Sequence, residues 1–269
     1  MKKVLVTGGN SYIGRHCVAQ LLEKKYEVRI TTRDKNKGES VKQDVEIYLK
    51  RKIELEIYQA DLTKDDGWSE AVEGCDAIIH VAGPFPLNVE KGGEQDQIIP
   101  HEDGTIRLFE FAKKHGVSRI VLTSSVASAY MGFPGDKHID ETKWTDLNNP
   151  NIDAYTKSKV LAEKAAWKFA KDNDSINLTC ILPPLVLGTG IGSPNIRGSI
   201  ELIYKFINKE MPVAPPFKMG VVDVRDVAKA HIDSLDNEKT FGKRIIVAEN
   251  MYWVKEICSK LNDLGHKAP

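Results

Sequence analysis

The N-terminal segment constrains the fold of this chain more than any other part. VLVTGGNSYIGRHCVAQLLEKKYEVRITTR, Val4 to Arg33, runs as an apolar strand (Val4 to Thr7), a glycine-rich turn, an amphipathic helix through about Lys25 and a second apolar strand from Val28 to Thr32. Strand, helix and strand in that order make a βαβ unit, and its right-handed crossover commits the chain to a parallel sheet. The turn TGGNSYIG, Thr7 to Gly14, places backbone amides at a helix N-terminus, where unpaired N–H groups and the helix dipole favour a phosphate. Gly8 permits the tight turn, and Gly14 lets helix and strand approach closely.

The same alternation continues along the chain. Strands are expected near 3–7, 28–32, 53–59, 76–81, 118–123 and 176–182, separated by stretches long enough to hold helices, and RIIVA (Arg244 to Ala248) reads as one more strand. The expected fold is α/β, a doubly wound parallel (Rossmann) sheet with a small C-terminal lobe. Leu182-Pro183-Pro184 breaks the pattern, and the GTGIGSPNIRGS that follows has the composition of a loop. VVDVRDVAKAHIDSL then reads as a helix returning to the sheet, with Asp223 or Asp226 near its start. Residues 1–182, rejoined by about 221–250, are therefore expected to form the nucleotide-binding domain, and 183–220 with 251–269 the substrate lobe.

YTKSK, Tyr155 to Lys159, lies in a second helical segment, AYTKSKVLAEKAAWKFAK. Residues four apart share a helix face, so Tyr155 and Lys159 are within reach of one another. An ammonium beside a phenol favours the phenolate, and the lysine is expected to draw the tyrosine's proton affinity toward the working pH. Ser125, closing the triplet Thr123-Ser124-Ser125 at a strand end, would hold a carbonyl oxygen. At the end of the second strand, Arg33 offers a planar fork for the 2′-phosphate of NADP, with Lys37 close enough to assist; an acidic residue there would instead suit NAD.

Composition narrows the partners. The chain has 269 residues, 38 basic and 38 acidic, hence zero formal net charge, and 41% hydrophobic residues, enough for one buried α/β core. Nothing points to nucleic acid or an acidic membrane surface, and no apolar run approaches the ~18 residues of a membrane span. The first strand begins almost at Met1, leaving no room for a signal peptide, so a cytoplasmic protein is expected, with Asn173 and Asn177 unglycosylated. Cys17, Cys75, Cys180 and Cys258 are scattered in apolar segments and read as buried free thiols. The histidines show no metal-ligand spacing, so no metal is expected; His80 reads as a satisfied residue at a strand end. Trp68, Trp144, Trp167 and Trp253 read as packing residues. Phe85 and Pro86 suit either a pocket wall or plain loop packing.

In order, the pieces TGGNSYIG, TTR ending at Arg33, ADL at Asp61-Leu62, HVAGPFP from His80, GVSRIVLTSS ending at Ser125, YTKSK, ILPPLVLG from Ile181 and VVDVRDVAKAHI from Val221 resemble the extended short-chain dehydrogenases/reductases. Within them the chain is most similar to the dihydroflavonol reductase and cinnamoyl-CoA reductase group. The resemblance implies an NADPH-dependent reductase acting on a ketone or aldehyde of a small organic substrate, with Tyr155 as proton donor, Lys159 as its tuner and Ser125 as the carbonyl's partner. It implies NADP(H) contacts from Gly8, Ser11, Tyr12, Ile13, Gly14, Arg33, Lys37, Asp61, Leu62, Val81, Ala82, Thr123, Tyr155, Lys159, Pro183 and Val186. Asp61 would contact the adenine amino group, though its position equally suits a helix cap.

Two features depart from the group. Ser11 stands where the turn usually has its middle glycine, which implies weaker cofactor binding. Chains of the group also normally continue beyond LNDLGHKAP, so the substrate lobe is expected to be short of its last elements. A monomer or homodimer is expected. The alternatives are a nucleotide-sugar epimerase or dehydratase holding NAD, against which Arg33 argues, and a non-enzymatic NADP-sensing protein.

Overall fold

A computed structural model of the chain describes residues 2–83, 94–131, 139–192 and 198–269, with backbone only for 94–100. Phe85, Pro86 and His138 lie outside the described residues. The elements in chain order are β1 (Lys3–Thr7), α1 (Tyr12–Glu23), β2 (Glu27–Thr32), α2 (Lys35–Leu49), β3 (Glu56–Gln59), α3 (Trp68–Val72), β4 (Ala77–His80), α4 (Glu94–Lys114), β5 (Arg119–Thr123), α5 (Ala127–Tyr130), α6 (Ala154–Lys171) and β6 (Asn177–Leu182). They continue with β7 (Leu185–Leu187), α7 (Ser199–Ile207), β8 (Lys218–Asp223), α8 (Val224–Leu235), β9 (Lys243–Ile246), β10 (Asn250–Trp253) and α9 (Val254–Asp263).

Seven strands form one parallel sheet in the order β3-β2-β1-β4-β5-β6-β9. This is the expected doubly wound α/β fold. The strand side chains alternate between two cores, as the two-residue period of a strand requires. Val4 and Val6 of β1, Ile79 of β4, Val121 of β5 and Ile181 of β6 face α1 and α8. Leu5, Ile78, Ile120 and Leu178 face α3, α4 and α6. Each of these fully buried aliphatic side chains contributes roughly 1.5–3 kcal/mol relative to exposure. The polarity of the sequence puts every helix N-terminus and every strand C-terminus of this sheet on one edge, and the crevice outside that edge is where such folds bind ligands.

A second, three-stranded sheet runs β10-β8-β7, with β10 antiparallel to β8 and β7 parallel to it. Phe206, Val254 and Cys258 form a separate small apolar cluster beside it. The sequence reading missed these strands: β7 has three residues directly after Pro184, and β8 merges into the helix it feeds. It did anticipate the cap of α8, where the Asp223 side chain accepts from Arg225 N–H at 2.8 Å. All four cysteines are buried free thiols, as expected. Among the described residues no helix is long and apolar enough to cross a membrane, and no cluster of potential metal ligands occurs.

Two buried histidines are held neutral within this framework. Thr7 Oγ1 lies 2.7 Å from His80 Nδ1, and burial together with the nearby Lys159 pushes His80 down to about 3. His231 Nδ1 donates to the Val227 carbonyl at 2.7 Å, leaving Nε2 to accept from the Thr123 hydroxyl at 2.7 Å; burial brings it to about 4. Both folded values lie below the ordinary 6.5, so below that pH the unfolded chain binds protons the folded one does not. Their stabilising contribution is complete above pH ~6.5 and lost as pH falls toward the folded values, by about 2 kcal/mol per histidine at pH ~5. Urea unfolding at pH ~7.5 and ~5 should show this loss; a stability that is flat over the interval would mean that neither residue is held neutral.

Candidate active site

One cleft of about 840 Å³ runs along the C-terminal edge of the large sheet and on to the small one. Its floor is the glycine-rich turn. Gly8 has φ of +64°, and a Cβ there would stand 2.9 Å from the Ala82 Cα, so only glycine lets the loops after β1 and β4 approach this closely. A Cβ at Gly14 would lie 2.4 Å from the Gly8 carbonyl oxygen. Gly14 thus shapes the turn from behind and does not itself line the cleft. Ser11 is the N-cap of α1 and its hydroxyl accepts from Gly14 N–H at 3.1 Å. The residue that departs from the glycine pattern is therefore occupied in ending the helix, satisfying one of its orphan donors. Tyr12 and Ile13 line the cleft beside it, and the Tyr12 hydroxyl donates to the Gly188 carbonyl at 2.7 Å, tying α1 to the loop after β7.

At one end of the cleft, Arg33 is exposed and lines the rim. Its guanidinium makes no hydrogen bond or ion pair with any described residue. Lys37, by contrast, is exposed on the first turn of α2 and lies outside the cleft lining, because the helix has already begun at Lys35. Asp61 and Leu62 sit across from Arg33. The Asp61 carboxylate accepts from Thr63 N–H at 2.9 Å and from the Thr63 hydroxyl at 2.8 Å; these bonds and the Arg33 charge outweigh partial burial and hold it below the usual carboxylate range. Trp68 is fully buried and donates through Nε1 to the Asp61 carbonyl, fixing that loop from below.

At the other end, Ser125 follows β5, and Tyr155 and Lys159 stand on the first turns of α6. Asp153 caps α6, accepting from Thr156 N–H at 2.7 Å, which sets the entry of the helix into the cleft. The Ser125 hydroxyl accepts from Ala127 N–H at 3.2 Å and shares a hydrogen bond with the Tyr155 phenol. Lys159 Nζ is 5.9 Å from the centre of the Tyr155 ring. The electrostatics differ from the sequence expectation. Burial raises the Tyr155 phenol above its ordinary value, and the group that opposes this is Ser125. Lys159 is itself pushed down to about 8 by burial, with Glu163 pulling the other way.

Val81, Ala82, Thr123, Pro183 and Val186 all line the cleft, joining its two ends. The Thr123 hydroxyl is committed to His231, so Thr123 offers the cleft its backbone and methyl group. Sequence reasoning missed the lining contributed by Tyr130, Met131, Leu202, Lys205 and Met219, which come from short elements and from α7. It also missed the buried Glu163, although that residue follows Lys159 by one helical turn and was visible as an acid in an otherwise amphipathic run.

Residues 4–248 match the model of the NAD dependent epimerase/dehydratase family. The chain is 35% identical over 268 residues to the cinnamoyl-CoA reductase CAD2 of Medicago truncatula, covering 97% of this chain and 80% of that protein. It is 30% identical to the NADPH-dependent methylglyoxal reductase GRE2 of Saccharomyces cerevisiae, covering 97% and 82%. The crystal structure of the yeast methylglyoxal/isovaleraldehyde reductase Gre2 complexed with NADPH superposes with a TM-score of 0.82 at 28% identity, covering 97% of this chain and 82% of that one. The chain belongs to the NAD dependent epimerase/dehydratase family, among the extended short-chain dehydrogenases/reductases of the dihydroflavonol reductase-like group.

Proposed function

We propose that this protein is an NADPH-dependent reductase that delivers hydride to the ketone or aldehyde carbonyl of a small organic substrate. The observation that carries the reading is the grouping of Ser125, Tyr155 and Lys159 at one end of a cleft whose other end is marked by Arg33. The residues present fit the cofactor. Arg33 is a guanidinium uncommitted among the described residues and available for the 2′-phosphate, Asp61 an ionised acceptor for the adenine amino group, and Leu62 an apolar face for the ring. Gly8, Ser11, Tyr12 and Ile13 would bound the pyrophosphate, with Gly14 holding the turn from behind and Lys37 adding positive charge at longer range. Val81, Ala82, Thr123, Pro183 and Val186 would flank the nicotinamide half.

Bound NADPH supplies the hydride. Ser125 orients and polarises the carbonyl oxygen, and Tyr155 gives it a proton as negative charge develops there. Lys159 holds the nicotinamide ribose and, while protonated, offsets the charge left on the phenol. Segments 183–220 and 251–269 form the substrate lobe. The four buried thiols suit the reducing cytoplasm. The partner is a small carbonyl or alcohol, with no nucleic acid or membrane, and the protein acts as a monomer or homodimer.

The test is NADPH oxidation followed against a panel of aldehydes, ketones and dihydroflavonols. Turnover on at least one carbonyl is expected. Tight NADPH binding without turnover anywhere on the panel would instead favour a sensor, and NAD retained through purification would favour an epimerase.

A further inference from the structure

Outside the proposed triad, the carboxylate that accepts the most hydrogen bonds among the described residues is that of Glu163, which is 1% exposed. It lies one turn beyond Lys159 on α6. It accepts from the Ser124 hydroxyl at 2.6 Å, from the Ser128 hydroxyl, from Trp167 Nε1 at 3.2 Å and from Arg244 Nε at 2.6 Å. Arg244, from β9 at the sheet's far edge, is held in turn. Its guanidinium donates to the carbonyls of Glu141 and Lys143 and to Ser128 Oγ at 3.0 Å, and it stacks 3.8 Å from the centre of the Trp144 ring. An ion pair buried this deeply stabilises a fold no better than a well-packed apolar pair would, so its position calls for another reason.

That position is beside the triad. Ser124 precedes Ser125, and Ser128, bonded to Glu163, also lies 2.8 Å from the Ser125 carbonyl oxygen. The carboxylate therefore clamps both sides of the turn that presents Ser125, and does so from the helix that presents Tyr155 and Lys159. A small polar cavity of about 10 Å³ separates Glu163 from Lys159, walled by His80 of β4, His101 and Thr105 of α4, and Ser124. Of the ionisable groups that face Lys159 among the described residues, His80 is neutral, His101 carries no negative charge in either of its forms, and Tyr155 is a phenol held above its ordinary pKa, so among them the only carboxylate is Glu163.

We propose that Glu163, anchored by Arg244, is a positioning residue of the reaction centre: it locks the Ser125 turn onto α6 and supplies the fixed negative charge behind Lys159. The inference rests on the reductase reading of Ser125, Tyr155 and Lys159. Its consequence is a pH effect. Lys159 sits at about 8 with Glu163 as the charge that raises it, so the active ammonium is present below that pH and lost above it. Removing the carboxylate's charge moves that loss to lower pH.

The experiment compares kcat against pH from about 6 to 9, NADPH affinity and melting temperature in the wild type, Glu163→Gln, Glu163→Gln with Arg244→Gln, and Glu163→Asp. The single Gln variant strands a buried cation; the double variant does not, and decides the matter if the single one fails to fold. In the Gln variants the alkaline limb should move down by about half a pH unit or more, and kcat near neutrality should fall roughly 10-fold with NADPH affinity within about threefold. Glu163→Asp keeps the charge and should keep the limb while losing kcat, because the clamp is shortened. A residue that only stabilises the fold would lower the melting temperature and leave the limb in place. Gln variants that fold with an unmoved limb would overturn the proposal. Tyr155→Phe is run alongside: if it stays active, the triad reading fails on its own account, whereas an inactive Tyr155→Phe with an unmoved limb in the Gln variants rejects only the role of Glu163.

Discussion

Tyr155→Phe should lower turnover by roughly 10²-fold or more while NADPH binds about as well as before. The ring remains in its place on α6, so the fold and the cleft are preserved. What disappears is the phenolic proton and the oxygen that shares a hydrogen bond with Ser125. Because that oxygen acts on the developing alkoxide and not on the bound cofactor, the loss belongs in kcat and kcat/KM together. Stopped-flow or steady-state NADPH oxidation, paired with a fluorescence titration of the cofactor, separates the two. Turnover near the wild-type value would remove Tyr155 from the chemistry and leave its bond to Ser125 as a structural contact.

The cofactor preference should collapse in Arg33→Asp. The guanidinium stands at the cleft rim without an ion-pair partner among the described residues, so the variant removes a two-pronged donor and sets a carboxylate near Asp61 in its place. Two charge-assisted bonds are worth about 3 kcal/mol together, so the NADPH-to-NADH affinity ratio should fall by roughly 10²-fold. NADH itself, lacking the 2′-phosphate, should bind no worse and gain if the new carboxylate reaches the ribose hydroxyls. Titration of both cofactors against both proteins reads the ratio directly. An unchanged ratio would leave Arg33 as ordinary surface charge.

Much of the architecture was legible because it is written in local periodicity. The strands of the large sheet fell within a few residues of their expected places, and the segment AYTKSKVLAEKAAWKFAK forms α6 over Ala154–Lys171. The small sheet was not legible, since strands of three to six residues next to Pro184, or running directly into a helix, carry too little pattern to stand out. Within the candidate site, spacing placed Tyr155 and Lys159 on one helix face but carried no information on dielectric. The sequence therefore suggested a lysine that lowers the phenol, whereas burial sets the direction for both groups. Lys37 was placed by proximity to Arg33 along the chain, and the early start of α2 turns it away. Ser11 reads as an anomaly in a glycine pattern and is a helix cap in three dimensions. The bond between Glu163 and Arg244 spans 81 positions, and no local signal announces a partner that far away.

That separation bears on how the protein is made. As the chain emerges from the N-terminus, β1 to β6 and α6 can assemble before β9 exists, and at that stage the Glu163 carboxyl has Ser124, Ser128 and Trp167 to bond to while Arg244 is still unsynthesised. The nascent molecule can therefore acquire the large sheet without acquiring a settled Ser125 turn. Only when β9 docks beside β6 does Arg244 close the pair, at the entropic cost of shutting a long loop. If Glu163 and Arg244 hold the reaction centre as proposed, a nascent chain that has yet to make β9 already carries Tyr155, Lys159 and Ser125, but on a turn whose clamp is not yet closed.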